Sequence, residues 1–354
     1  MKILFDHQIF SSQRAGGISR YHVELVRHFD NDVQWKIPLF FSNNLHLAEI
    51  MDVPGFFPKT KFRGRDRILE YINRQRTAWT LMRGDFDVFH PTFYDSSLLG
   101  RLRGRPMVLT VHDMIHDRFP RLPAAGWETR EKRLMAERAS QIIVPSKFTA
   151  DELVKLYGIP AKKIHVVHHG APSWRISAEN PAADCFLFVG GRKYYKNFGR
   201  LLKAMRLVPE SRLRVVGAPF SREERTLISR LELDSRIEFA AARNDEELAG
   251  LYASSAAFVF PSKMEGFGLP VLEAFAAGCP ALLADIPVFR EIGGDAALYF
   301  DPDSEHALAD CMRQILRRRM TGGIAGQLRR FSWRKCARET CVVYRLALSL
   351  SGKG

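Results

Sequence analysis

Short apolar runs alternate with amphipathic stretches along the whole chain, and no other property of the sequence restricts its fold as strongly. Runs at 2–5, 87–89, 107–111, 141–144 and 164–167 predict strands in the first half. Those at 186–189, 213–216, 236–239, 256–260 and 281–284 predict strands in the second. Helices are expected between them, at 18–29, 127–138 and 147–157, then at 198–207, 245–252 and 269–277. Such repetition builds parallel sheets with helices on both faces. A chain of 354 residues exceeds one ordinary core. We therefore expect two doubly wound α/β domains, 1–170 and 171–330, linked through the Pro- and Ala-containing stretch 168–183. Ligands of such sheets bind beyond the carboxyl ends of the strands, so the two domains are expected to face a central cleft.

A composition of 46% hydrophobic and 26% charged residues suits folded domains rather than disorder. The net charge of +14 favours anionic partners, and it is uneven, with dense clusters at 61–83 and 313–338. In the first cluster, Ile68, Ile72, Gln75, Trp79 and Met82 mark one helical stripe. That stripe is expected to pack on its own domain, leaving Arg65, Arg67, Arg74 and Arg76 as a solvated basic face. The same segment, Lys61 and Arg83 included, suits docking on an anionic membrane surface. A docking motif or aromatic platform for nucleic acid is missing, so no nucleic-acid partner is expected. Five cysteines without a C-x-x-C pair suggest a reduced compartment. The sequence shows neither a secretory leader nor a membrane-spanning run, and the expectation is a cytoplasmic protein, peripheral on the inner face of the plasma membrane.

The stretch Glu265-Gly-Phe-Gly-Leu-Pro-Val-Leu-Glu273 places two carboxylates across a Gly-rich turn between a strand and a helix. Glycines there let N–H groups at the helix start approach an anion. Arg192 and Lys196 follow the first strand of the second half, where two cations can neutralise a diphosphate or form a merely solvated loop. Gly16 and Gly17 precede a helix and fit either a phosphate contact or an ordinary flexible loop. His112 closes a strand, where a histidine bonds a sugar, stabilises charge or serves the core; these readings stay open. Asp30-Asn31-Asp32 and Asp301-Pro302-Asp303 read as turns and caps, and no metal site is expected.

Together these segments resemble the retaining family 4 (group 1) nucleotide-sugar glycosyltransferases of the GT-B fold, over nearly the whole chain. Residues 261–280, with Pro261, Ser262, Glu265, Glu273, Gly278 and Pro280, look like the paired-glutamate signature. Gly190, Arg192, Lys196 and Asn197 resemble its basic pair, and Val144-Pro-Ser146-Lys-Phe-Thr149 a segment of its N-terminal domain. Phe331-Ser332-Trp333 resembles the start of a final helix, within 331–354, that crosses back to that domain. The opening, Asp6 to Phe10 with Gly16 to Tyr21, is similar to the subgroup making lipopolysaccharide or exopolysaccharide, often from mannose donors.

The resemblance implies a nucleotide-sugar donor, GDP-mannose by preference, a glycan or lipid-linked acceptor, and no cofactor or metal. It places Glu265 by the donor sugar and Glu273 on the ribose, with N–H groups of Phe267, Gly268 and Leu269 on hydroxyls and diphosphate. Arg192 and Lys196 would stabilise the departing diphosphate with Gly17, His112 would meet the sugar, and backbone near Ala242 and Arg243 would line the base pocket. The competing expectations are a GT-B sugar-nucleotide epimerase or phosphorylase and, from another class, a basic nucleic-acid-binding protein.

Overall fold

The computed structural model describes residues 1–60, 62–174, 184–318 and 321–352, so Lys61 and residues 175–183 of the expected linker lie outside the described residues. Contacts divide the chain into two compact units, Met1–His169 with Trp333–Gly354, and Gly170–Ser332.

In the first unit the strands are β1 (Lys2–Phe5), β2 (Gln34–Lys36), β3 (Val88–His90), β4 (Val108–Thr110), β5 (Gln141–Val144) and β6 (Ile164–Val166). Its helices are α1 (Gln8–Ser12), α2 (Gly17–Arg27), α3 (Arg65–Arg83), α4 (Ile115–Arg118), α5 (Ala125–Arg138) and α6 (Lys147–Tyr157). All pairings are parallel, in the orders β2-β1-β3 and β4-β5-β6, and a bridge between Phe89 and Met107 joins the two ladders. β3, β4 and β5 are fully buried, as expected for strands covered on both faces. Ser146 starts α6 by accepting from the N–H of Thr149 at 3.1 Å.

The second unit carries β7 (Cys185–Val189), β8 (Arg212–Val216), β9 (Ile237–Ala240), β10 (Ala257–Phe260), β11 (Ala281–Ala284) and β12 (Ala297–Phe300). Around them lie α7 (Phe198–Leu207), α8 (Arg222–Arg230), α9 (Asp245–Ala253), α10 (Leu269–Ala276), α11 (Pro287–Gly293), α12 (Glu305–Arg317) and α13 (Ile324–Leu328). Its single parallel sheet has the order β12-β11-β10-β7-β8-β9, the 3-2-1-4-5-6 arrangement of a Rossmann fold. The last helix, α14 (Trp333–Leu350), belongs to the first unit. It buries Trp333, Cys336, Thr340 and Tyr344, and the Tyr344 hydroxyl lies 2.6 Å from Nδ1 of His90.

One expectation is overturned. The stripe Ile68–Ile72–Gln75–Trp79–Met82 of α3 points outward, with Ile68, Trp79 and Met82 exposed. The buried face carries Leu69, Asn73, Thr77, Ala78, Thr80 and Leu81. Asn73 accepts from the N–H groups of Phe40 and Phe41 and donates to Phe41 O and Ser11 Oγ. Buried polar groups with all their bonds made cost little, so the more polar face could turn inward. Among the described residues, no helix is long and apolar enough to cross a membrane.

Candidate functional site

In the second sheet the strand order reverses between β7 and β10, the position where doubly wound folds hold ligands. The segment after β7 carries Arg192 and Lys196, and that after β10 carries Glu265, Phe267 and Gly268. The two are tied together, since Lys263 N donates to Tyr195 O at 2.8 Å. Across this point the Lys196 ammonium meets Oε1 of Glu265 at 2.7 Å. Both side chains are largely enclosed, 19% and 10% exposed, and the ammonium lies 5.2 Å from the Phe260 ring centre. Enclosure strengthens such a pair, because little water screens it.

Glycine is required at 268, where φ is +107° and an added Cβ would stand 3.2 Å from the Phe289 ring. The chain turns there into α10, where Pro270 has no N–H and the Val271 N–H is taken by Gly268 O at 2.9 Å, so Leu269 alone among the first three residues offers an N–H beyond the helix's own bonds. Glu273, on the second turn of α10, accepts from the buried Tyr252 hydroxyl at 3.0 Å. Burial, helped by Glu273, pushes the Tyr252 pKa well up, so the phenol keeps its proton and donates.

The Arg192 guanidinium is already engaged within the second unit. Its Nε and Nη2 form a fork on Glu224 at 2.7 and 3.1 Å, and Nη2 also donates to the carbonyls of Ala218 and Pro219. The side chain is 5% exposed, and only Nη1 is buried without a partner. Burial alone would raise Glu224, but the bonds from Arg192 and the Ser221 N–H outweigh it and hold the carboxylate below its usual range. Glu224 and Tyr252 are thus partners of the candidate residues that the sequence did not reveal. Ser221 and Glu224 form a recognisable capping box, which signals a helix start but not the arginine fork. Tyr252 has no local signal. Arg243 is not brought into this cluster of bonds, and its exposed guanidinium pairs with Glu247.

In the first unit, Gly16 caps the start of α2 and Gly17 is its first residue. His112 follows β4 and lies against Tyr21, with ring centres 5.2 Å apart. It belongs to a layer with His22, His90 and His169: His22 lies 5.4 Å from His90 and 6.0 Å from His112, and His112 lies 6.2 Å from His169. Burial lowers the pKa of His112 to about 4, opposed by Asp113 and aided by Lys132. It lowers His90 to about 3, and it holds His22 and His169 well below the ordinary value. At neutral pH the packing around His112 favours its uncharged, hydrogen-bonding form. Asp113, His116 and Glu128 offer ligand atoms within 4.8 Å of one another. The fully buried Lys132 ammonium already supplies a positive charge there, 2.9 Å from Asp117 and 3.8 Å from Glu128. Asp301 accepts from the Asp303 N–H and Ser304 caps α12, as turn and cap residues do.

A model of the Glycosyltransferase Family 4 domain matches residues 15–174, and one described as Glycosyl transferases group 1 matches 174–331. The O-antigen chain mannosyltransferase B of Escherichia coli is 29% identical over 394 aligned positions, covering 98% of this chain and 100% of that protein. Among solved structures, sucrose-phosphate synthase from Thermosynechococcus elongatus aligns with a TM-score of 0.74 at 17% identity, covering 99% of this chain and 100% of that one. Anabaena HepE, solved with UDP and glucose, has a TM-score of 0.74 at 16% identity, covering 97% and 98%. The fold is that of the GT-B glycosyltransferases, two Rossmann-like units with a C-terminal helix belonging to the first. The chain belongs to the family 4 (group 1) glycosyltransferases and is a glycosyl-transferring enzyme.

Proposed function

We propose that this chain is a retaining mannosyltransferase using GDP-mannose, without a metal, to extend a glycan or lipid-linked acceptor in O-antigen or related polysaccharide synthesis. The enclosed Lys196–Glu265 pair at the strand-order reversal carries the reading. The end-to-end likeness to an O-antigen chain mannosyltransferase supports the choice of sugar and pathway. We place the enzyme in the cytoplasm, at the inner face of the plasma membrane.

Breaking the sugar–phosphate bond leaves an oxocarbenium-like sugar and a more negative diphosphate. Fixed positive charge and N–H donors aimed at that diphosphate lower the barrier, since they need no rearrangement as charge develops. In this reading Lys196 supplies the charge, Nη1 of Arg192 and the backbone N–H groups of Phe267, Gly268 and Leu269 supply donors, and Gly16 and Gly17 supply backbone at the start of α2. Glu273 holds the ribose hydroxyls, and backbone near Arg243 meets the base. Glu265, already paired with an ammonium, is a weak nucleophile and suits electrostatic support of the sugar. The departing phosphate then takes the acceptor proton while the new bond forms on the same face, and neutral His112 orients the sugar by a hydrogen bond.

A thermal-shift screen against GDP-, UDP-, dTDP- and ADP-sugars tests the donor, because a ligand binding only the native state stabilises it by about 2.7 kcal/mol at 100 times its Kd. GDP-mannose is expected to raise Tm most. A rise with a UDP-sugar and none with GDP-mannose would refute the donor assignment.

A further inference from the structure

Helix α3 turns its most apolar stripe to the outside. Tyr71 is 63% and Trp79 52% exposed, beside exposed Ile68 and Met82. Phe57 and Phe62, just before the helix, are also exposed, with rings 5.6 Å apart. A soluble face of this kind is unusual, because large contiguous apolar patches mark a surface that meets a partner.

The charges around the stripe narrow the partner. At about 100° per residue, Arg67 and Arg74 edge the stripe on one side, and Arg65, Arg76 and Arg83 edge it on the other. Asp66 and Glu70, the only acids of α3, fall on the half that carries Leu69, Asn73 and Thr77. Among the described residues, Arg67, Arg76 and Arg83 have no ion-pair partner. The Arg76 guanidinium lies 4.4 Å over Phe40, and that of Arg83 lies 4.7 Å over Trp79. The border of the stripe is thus cationic on both sides, with no acid along it from α3 itself. A bilayer surface matches it, with acyl chains for Ile68 and Met82, the interfacial layer for Tyr71 and Trp79, and lipid phosphates for the arginines. Nineteen helical residues give a contact about 28 Å long.

The geometry points to the outward face of α3, with Phe57 and Phe62, as the surface by which the enzyme inserts shallowly into a bilayer rich in anionic phospholipid. This deepens the membrane placement proposed above and rests on it for its biological purpose alone. Vesicle binding requires neither donor nor acceptor, so the two readings fail separately.

Flotation of the full chain with vesicles of phosphatidylcholine, alone or mixed with phosphatidylglycerol, tests the proposal. The wild type is expected to float with the mixed vesicles, with a blue shift of tryptophan emission. Ile68→Ser with Trp79→Ser should lower that binding about tenfold or more, and Arg67→Gln with Arg76→Gln should lower it to a similar degree. Arg67, Ile68 and Trp79 are exposed and Arg76 is half-buried without an ion pair among the described residues, so Tm should change little and transfer to a water-soluble acceptor should stay unchanged. Absence of wild-type flotation overturns the proposal. So does an Ile68→Ser, Trp79→Ser variant that floats as the wild type does, since charge alone would then account for the contact.

Discussion

At the scale of single residues, the segments that carry the site were visible in the sequence, but the partners that fix their chemistry were not. Arg192, Lys196, Glu265 and Glu273 stand in short segments whose spacing and glycines mark a strand end facing a ligand. Glu224 and Tyr252, which hold two of these four, lie 32 and 21 residues from their partners and are found only by folding the chain. His112 shows what packing adds to spacing: crowding by Tyr21, His22 and His169 favours a neutral ring. His112→Gln, which can still hydrogen-bond, is expected to keep transfer within about tenfold, whereas His112→Ala should lose about a hundredfold or more, the loss typical of one preorganised donor. No limb of the kcat–pH profile near pH 6.5 should belong to His112. A limb there that vanishes in His112→Gln would show a charged imidazole at work.

At the scale of elements, strands and helices were legible because buried parallel strands are short apolar runs and the helices between them carry caps. The orientation of α3 was not. Apolar periodicity records which face is greasy, whereas Asn73 and Thr77 were drawn inward by partners on distant segments, Ser11, Phe40 and Phe41 for one and His7 for the other. The same packing sets an acid limit on the first unit. Burial lowers His7 and His112 to about 4 and His90 to about 3, and it holds His22 and His169 well below the usual value. A histidine kept neutral in the fold contributes stability fully above its unfolded pKa of ~6.5 and loses it as pH falls towards the folded value. Each such group costs about 1.4 kcal/mol per pH unit below ~6. Asp6 works the other way: burial raises it to about 6, so its contribution is present at low pH and lost as pH rises through that value. Five histidines outweigh one aspartate, and Tm of the full chain should drop steeply between pH 6.5 and 4. A Tm that stays level across this window would contradict the account.

At the scale of the whole molecule, alternation announced parallel sheets but not their strand order. The order depends on which edge each crossover returns to, and side-chain pattern does not encode that choice. It matters because the reversal between β7 and β10 is what brings Lys196 to Glu265. The return of α14 to the first unit was visible only through resemblance, and Tyr344 on His90 gives it a physical anchor. In the proposed reaction the Lys196–Glu265 pair serves the leaving diphosphate of a retained transfer. NMR of the glycan formed from GDP-mannose on lipid-linked acceptors, for wild type and Lys196→Ala at matched Tm, measures it directly. We predict mannose linked with the donor's own anomeric configuration, formed at least a hundredfold more slowly by the variant. An inverted linkage, or a variant that turns over as the wild type does, would contradict the claim.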